Sequence, residues 1–574
     1  MQLQSHIRER YLRLGRAIGR TGATRWHRRA SDAHELLLMP PDLRTADPSF
    51  VAEVAAGQMG LAGAVADLLG RSVFVVRPPN DAWAAELHGF AWLRHLDAND
   101  DVVADGTGAR LAARLFGEWL DHAGPNHPAA APPEIVARRL LSWLGHAGLL
   151  MDPGDSRASA RFLATLAATS DQLGRIWKRT EPGAPRVTAL TALIEACLAF
   201  PGGDATRATY ETELVVALRE TVLPDGGLVC RNPAALLELM LDLIPLRQCY
   251  LVRGFAPPPQ LTAALLGMSA MLRHLRLGDG ELVRFNGAGA TDRTALATVL
   301  AIDEGRQRQP TQSRESGFVR LVGGPVTLLL DAGASPPLPV SRRAAAGCLS
   351  FELSVGAQPV IVNAGAPGAS HADWLATARA TTRHSTLSLA EQSSAELRGS
   401  GGDGRDGSGL MAGPQHVESE ITTDAHATVI AASHDGYLRR HGLVHRRTLR
   451  LDSGGCRLEG RDTLGPEHGT LRLARDVPFA VHFHLHPSCA AGISDDGRAV
   501  DIFLPAGQIW RFSADGAALS LEDSLFLATP AGPRPCHQIT LRGACFGESE
   551  LQWSFAQTTG TDGSDEDGDA PAAS

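Results

Sequence analysis

The hydrophobic pattern of this 574-residue chain changes period once, and the change divides the fold. From about residue 80 to 305, apolar side chains recur at i, i+3 and i+4 in runs of ten to twenty, separated by Gly/Pro loops. That spacing marks one face of an α-helix. Residues 82–96 align Trp83, Leu87, Phe90 and Leu93 in one stripe. The series continues through 109–122, 133–146, 157–179, 186–200, 205–222, 234–244 and 259–275. Consecutive helices on short connections predict helical hairpins packed side by side, as a ring or a solenoid. After the polar stretch 303–316 the period falls to near 2, and about a dozen short strands separated by turn signals predict a large antiparallel β-sandwich over 312–556.

The flanks differ from both halves. Residues 1–79 are expected to be an N-terminal basic amphipathic segment. Leu3, Ile7, Tyr11, Leu14 and Ile18 fall at helical spacing, and Arg8, Arg10, Arg13, Arg16, Arg20, Arg25, Arg28 and Arg29 lie mostly on the other face. Such a helix docks on the protein or meets an anionic surface. Residues 557–574, with five acids from Asp562 to Asp569, are expected to be a disordered acidic tail. They carry much of the net charge of -9, which leaves a mildly acidic body and disfavours nucleic-acid binding.

No apolar run approaches the ~18 residues that cross a bilayer, so no transmembrane segment is expected. No secretory signal is readable, and the literal expectation is cytoplasmic. Eight widely spaced cysteines without a C-x-x-C suggest reduced thiols. Lys178 is the single lysine, so cationic sites are almost all guanidinium forks suited to carboxylated or sulfated ligands.

Twelve of the 21 histidines lie between His371 and His537. In 479–486 (FAVHFHLH), alternation puts His482, His484 and His486 on one strand face. His482 and His484 could share a divalent metal, or could be hydrogen-bonded histidines on a polar face. His434-Asp-Gly-Tyr437 offers a Tyr/His proton-transfer pair, or an Asp-Gly turn with a packing tyrosine. Arg379 and His384 sit near a strand end, where sites often form.

In order, the segments SRRAAAGCLSFELSVGAQPVIVNAGAP (341–367), ARATTRHSTLSLAEQSSAEL (378–397), HDGYLRRHGLVHRRTLRL (434–451), FHLHP (483–487) and QIWRF (508–512) resemble the heparinase II/III family of polysaccharide lyases, especially a bacterial branch. PDGGLVCRNP (224–233) and GDGELVRFNG (278–287) extend the resemblance more weakly into the helical half. It implies an incomplete α/α toroid packed on an antiparallel β-sandwich, with a sugar-binding cleft between them. It also implies β-elimination on uronate-containing glycans, which needs a base, a group that stabilises the enolate, and a proton donor to the leaving oxygen.

The departures are specific. Where the family has a catalytic histidine and a zinc-ligating histidine, this chain has Arg343 and Ala345. Asn363 replaces a ligating aspartate, and only the third ligand persists, as His384. The family's acid/base tyrosine falls on Ala235, beside Leu236.

If active, the chain is a lyase with catalysis carried by His384, Tyr437 and His434, and with acidic polysaccharide held by Arg379, Asn363 and Arg446. No metal is expected at the family's zinc site, though a divalent metal at His482 and His484 would suit a hydrolase. The alternative is a non-catalytic glycan-binding or envelope-associated protein on the same scaffold. Because lyases of acidic glycans need substrate outside the cytoplasm, the resemblance implies periplasm or cell envelope as the alternative location. Oligomeric state is not legible.

Overall fold

The computed structural model of the chain describes residues 35–558, except 104, 153, 303–311, 399–408 and 472. The arginine-rich helix expected near the N-terminus, most of the Gly/Ser-rich segment RGSGGDGRDGSG (398–409) and the acidic tail beyond residue 558 lie outside the described residues.

Residues 35–79 belong to the stretch (1–79) that the sequence predicts to be a basic amphipathic segment. Their described part instead forms a helix α1 (Phe50–Ala55) and a hairpin of β1 (Gln58–Leu61) and β2 (Ala64–Asp67). Ala62 and Gly63 both have positive φ, the geometry of a tight hairpin turn. Phe50, Met59 and Val73 enter the same apolar core as the helices that follow.

Those helices are α2 (Asp81–Gly89), α3 (Leu93–Val103), α4 (Thr107–His122), α5 (Pro133–Gly145), α6 (Ala147–Leu150) and α7 (Ser156–Ile176). α8 (Ala184–Ala199), α9 (Asp204–Thr221), α10 (Pro233–Val252), α11 (Pro259–His274) and α12 (Arg293–Ile302) complete the series. α2, α5, α8, α10 and α12 pack successively against one another, while α7, α9 and α11 back them from outside. The inner helices α8 and α10 are apolar almost all round and buried along most of their length, as helices packed on both sides must be. The sequence suggested an end to α10 at Ile244, before a proline, yet the helix continues through Pro245 to Val252. Burial on both faces outweighs the lost hydrogen bond there.

Residues 37–45 close over one side of this incomplete ring. Arg44 donates to Asp242 at 2.8 Å, and Arg138 grips the same carboxylate with two bonds of 2.8 and 2.9 Å. His146 is held between Asp97 (2.8 Å) and Asp42 (3.4 Å).

The second half is a sandwich of two antiparallel sheets. One contains β3 (Gln312–Ser313), β4 (Phe318–Gly323), β5 (Val326–Asp331), β6 (Phe351–Val355), β7 (Gln358–Val362) and β8 (Leu387–Leu389), with three strands from further along the chain. β9 (Glu396–Leu397) and β10 (Leu410–Ala412) form a small pair apart. The other sheet contains β11 (Val417–Thr423), β12 (Ala427–His434), β13 (Val444–Asp452) and β14 (Arg457–Gly465). β15 (Val477–Leu485) returns to the first sheet. β16 (Ala490–Ile493), β17 (Ala499–Phe503) and β18 (Ile509–Asp515) join the second, β19 (Ala518–Phe526) and β20 (Arg534–Cys545) the first, and β21 (Ser549–Gln557) the second. Strand order is β19-β20-β15-β7-β6-β5-β4-β3, with β8 beside β15, against β11-β12-β13-β14-β21-β18-β17-β16. Aromatic rings join the layers: Phe351 stacks on Trp553 at 5.8 Å, and Phe483 lies 4.8 Å from both Phe512 and Trp553. The eight cysteines are unbonded.

Two equivalent turns of the toroid press on the sandwich. Each follows an outer helix and is closed by a bridge, Val222 to Leu228 or Arg276 to Leu282, around a glycine of positive φ, Gly226 or Gly280. A Cβ on Gly226 would lie 2.0 Å from the Gly267 carbonyl oxygen, so only glycine fits. Both turns converge on Asp331 at the end of β5. Arg231 pairs with one carboxylate oxygen, and Asn286 donates to the other at 3.1 Å.

Candidate functional site

The toroid and sandwich meet around a small cavity lined by Arg284, Ala345, Gly365, Arg379 and His384 among others. Arg284 comes from the second toroid turn. Its backbone N–H and Nη1 donate to Glu352 on β6, each at 3.1 Å, and Nη2 donates to Glu281 at 2.5 Å. Arg379 and His384 come from the helical segment between β7 and β8. Arg379 donates Nε to the Ala344 carbonyl at 2.7 Å.

His384 gives its Nδ1 hydrogen to the Ala380 carbonyl at 2.9 Å, which leaves Nε2 as the acceptor of a neutral ring. Burial holds its pKa below the usual value. The structure therefore brings together two residues singled out from sequence, His384 and Arg379, and adds Arg284, which lay in a weakly matching motif.

Asn363 is close by but committed. It is fully buried, its Oδ1 accepts the Ser385 N–H at 2.8 Å, and its Nδ2 donates to Ser350 Oγ at 3.4 Å. With no exposed surface, its side chain is closed off from a substrate.

His434 and Tyr437, expected from sequence to carry chemistry, are not among the residues that line this cavity. Both are buried in the sandwich, Tyr437 with no exposed surface. The Tyr437 hydroxyl donates to the Leu387 carbonyl at 2.9 Å, and burial pushes its pKa well above the usual range. His434 accepts the Gly436 N–H at Nδ1 (3.0 Å) and lies 3.3 Å from His445 at Nε2. Burial drives its pKa well down. The HDGY segment is the Asp-Gly turn with a packing tyrosine.

Behind it runs a network that sequence reasoning missed. Asp462 takes His445 at 2.7 Å, Arg447 at 2.8 and 3.1 Å, and Trp553 Nε1 at 2.9 Å. Arg447 then donates to the Leu349 and Ser385 carbonyls, both at 2.8 Å, and so fixes the strand that leaves His384. Strand alternation pointed to it, since β13 buries His445 and Arg447 and turns Arg446 outward. Arg446, expected to hold substrate, donates to the Pro466 carbonyl at 3.0 Å on the other face of the sheet.

His484 spends both ring nitrogens, on Ser524 Oγ and the Thr382 carbonyl, each at 3.0 Å. His482 Nε2 lies 3.1 Å from Ser388 Oγ. Among the described residues, no three His, Cys, Asp or Glu side chains are grouped to hold a metal.

The heparinase II/III-like C-terminal family model matches residues 305–554. FtsZ-localized protein C of Caulobacter vibrioides is 30% identical over 534 residues, covering 91% of this chain and 90% of that protein. The chain belongs to the heparinase II/III family. The crystal structure of heparinase III shares the fold with a TM-score of 0.73 at 12% identity, over 91% of this chain and 88% of that one. A mutant of heparan sulfate lyase HepC from Pedobacter heparinus aligns with a TM-score of 0.62 at 14% identity, over 94% and 88%.

Within this heparinase II/III fold, the positions that the family resemblance assigns to metal and proton transfer hold other groups. Ala345 and Asn363 leave His384 as the single ligand type, and the Asn363 oxygen already accepts a backbone N–H. The residues present do not fit the family's zinc. Ala235 opens α10, its N–H bonded to the Asn232 side chain at 3.1 Å, and its methyl group cannot move a proton. Arg343 is exposed. No helix among the described residues is long and apolar enough to cross a membrane.

Proposed function

We propose that this chain keeps the polysaccharide-lyase scaffold without its elimination chemistry and works as a binding protein of the cell envelope, at the site where FtsZ assembles. The observation that carries this reading is the pair of methyl groups at Ala235 and Ala345, where the resemblance places a proton-transferring tyrosine and a ligating histidine. With Tyr437 and His434 buried in the sandwich, no Tyr/His pair among the described residues that line the junction cavity replaces them. β-Elimination needs a base and an acid within hydrogen-bond reach of the sugar, and the junction offers one neutral imidazole. The relative named for localisation with FtsZ matches nearly the whole length of both chains, which supports carrying that association over. A fluorescent fusion to the full chain, imaged in dividing cells, tests it. Signal that forms and disperses with the FtsZ ring supports the reading, and signal indifferent to FtsZ depletion contradicts it.

A second reading rests on one observation, that His384 and Arg379 line the same cavity. In that reading Arg379 pairs with the carboxylate of an acidic polysaccharide and His384 removes the adjacent proton.

A further inference from the structure

The cavity at the junction carries a charge that its surroundings leave unbalanced. Arg379 is 4% exposed, its Nε is bonded to Ala344, and its buried Nη2 has no partner. No acidic side chain among the described residues pairs with it, and burial alone shifts its pKa, downward. A guanidinium does not escape this by losing its proton, so the charge stays, and an uncompensated buried charge is strongly destabilising.

A second guanidinium lines the same cavity. Arg284 is 2% exposed and keeps an unpartnered Nε, although Glu352 and Glu281 take its Nη groups. His384 is neutral and contributes no counter-charge, and Asn363 behind it is an uncharged amide. Ala288, Ala366, Leu375 and Ala378 complete the wall. Apolar walls shed water and strengthen whatever electrostatic attraction remains.

We propose that this cavity binds one small inorganic monoanion of about chloride's size, held by N–H groups of Arg379 and Arg284. The room inside suits about one particle of water's dimensions, too little to enclose sulfate or phosphate. The position where the family resemblance expects a cation thus has the opposite preference. The ion ties the toroid turn at Arg284 to the sandwich segment at Arg379, and so joins the two halves. This assignment stands apart from the FtsZ reading, and either can fail without the other.

The test uses the full chain in sodium chloride, bromide or gluconate at one ionic strength. The melting temperature is expected to rise with chloride and bromide but not with bulky gluconate, by about 1 °C for each tenfold increase above half-saturation. Crystals grown in bromide are expected to show an anomalous peak within hydrogen-bond distance of Arg379 Nη2. In Arg379→Gln, the difference between chloride and gluconate is expected to vanish. Equal melting temperatures in all three salts, a water in place of bromide, or an undiminished chloride effect in Arg379→Gln would overturn the proposal. Should Arg379→Gln not fold, the wild-type melting series and the bromide map decide it by themselves.

Discussion

Asn363 Oδ1 accepts the backbone N–H of Ser385 at 2.8 Å, so the side chain at a position tied by resemblance to metal binding now pins the strand that follows His384. The amide is matched on both ends, because Nδ2 donates to Ser350 Oγ. Asn363→Asp puts a carboxylate where Glu352 already accepts the residue's own N–H. We expect a loss of about 1–3 kcal/mol in urea denaturation, with no gain of zinc affinity by calorimetry.

Tyr437→Phe removes one buried hydrogen bond, to the Leu387 carbonyl. The expected cost is about 1 kcal/mol of stability. A chain that cleaves glycan through this hydroxyl would instead lose turnover with little change in stability, so the urea midpoint and a lyase assay on the same sample separate the two roles.

Arg231 fastens the halves together. Its guanidinium pairs with Asp331 and donates to the carbonyls of Ser316, Gly333 and Ala334 at 2.7, 3.2 and 3.1 Å. Asp331→Asn leaves that charge buried without its counter-ion, and about 3–5 kcal/mol is expected to be lost. In calorimetry the melting of the toroid and that of the sandwich should lie further apart in the variant than in the wild type.

The 37–45 strap should respond to pH through His146 and Asp42. Hydrogen bonds to Asp42 and Asp97 raise the His146 pKa from 6.5 to about 9, against the burial that would lower it. That contribution is complete below pH 6.5 and is lost as pH rises through 9. Asp42 is lowered from 3.8 to about 2 by His146 and Arg44, against its own burial. Its contribution is present above pH 3.8 and is lost as pH falls through 2. Hydrogen exchange of the strap amides should therefore quicken beyond the intrinsic rate as pH rises from 6.5 to 9, and His146→Ala should remove the stability slope over that window.

Period and turn chemistry made the two halves legible because helices and strands bury their faces at different spacings. The helix α10 was cut short at Pro245, since propensity cannot register burial on both sides. Three strands of seven or more residues are hard to read from the sequence for a related reason. β11 is an edge strand with a largely exposed, polar sequence, VESEITT. β14 hides its apolar face behind charged alternates and Gly460, where a Cβ would lie 2.1 Å from Trp553. β21 likewise alternates buried apolar residues with Glu550 and Gln552.

At the site, Arg379 and His384 were found because they share one segment. Tyr437 and His434 could not be placed from sequence, because a tyrosine beside a histidine reads the same in a core as in a cleft. Arg284 was missed because its role depends on a contact 68 residues away, with Glu352.

The most direct test of the central claim is to incubate the full chain with heparin, heparan sulfate, chondroitin sulfate, hyaluronan and alginate while following the ultraviolet absorbance of the unsaturated uronate that elimination creates. The account predicts no rise on any of them. A rise that disappears in His384→Ala would contradict it and establish a working lyase.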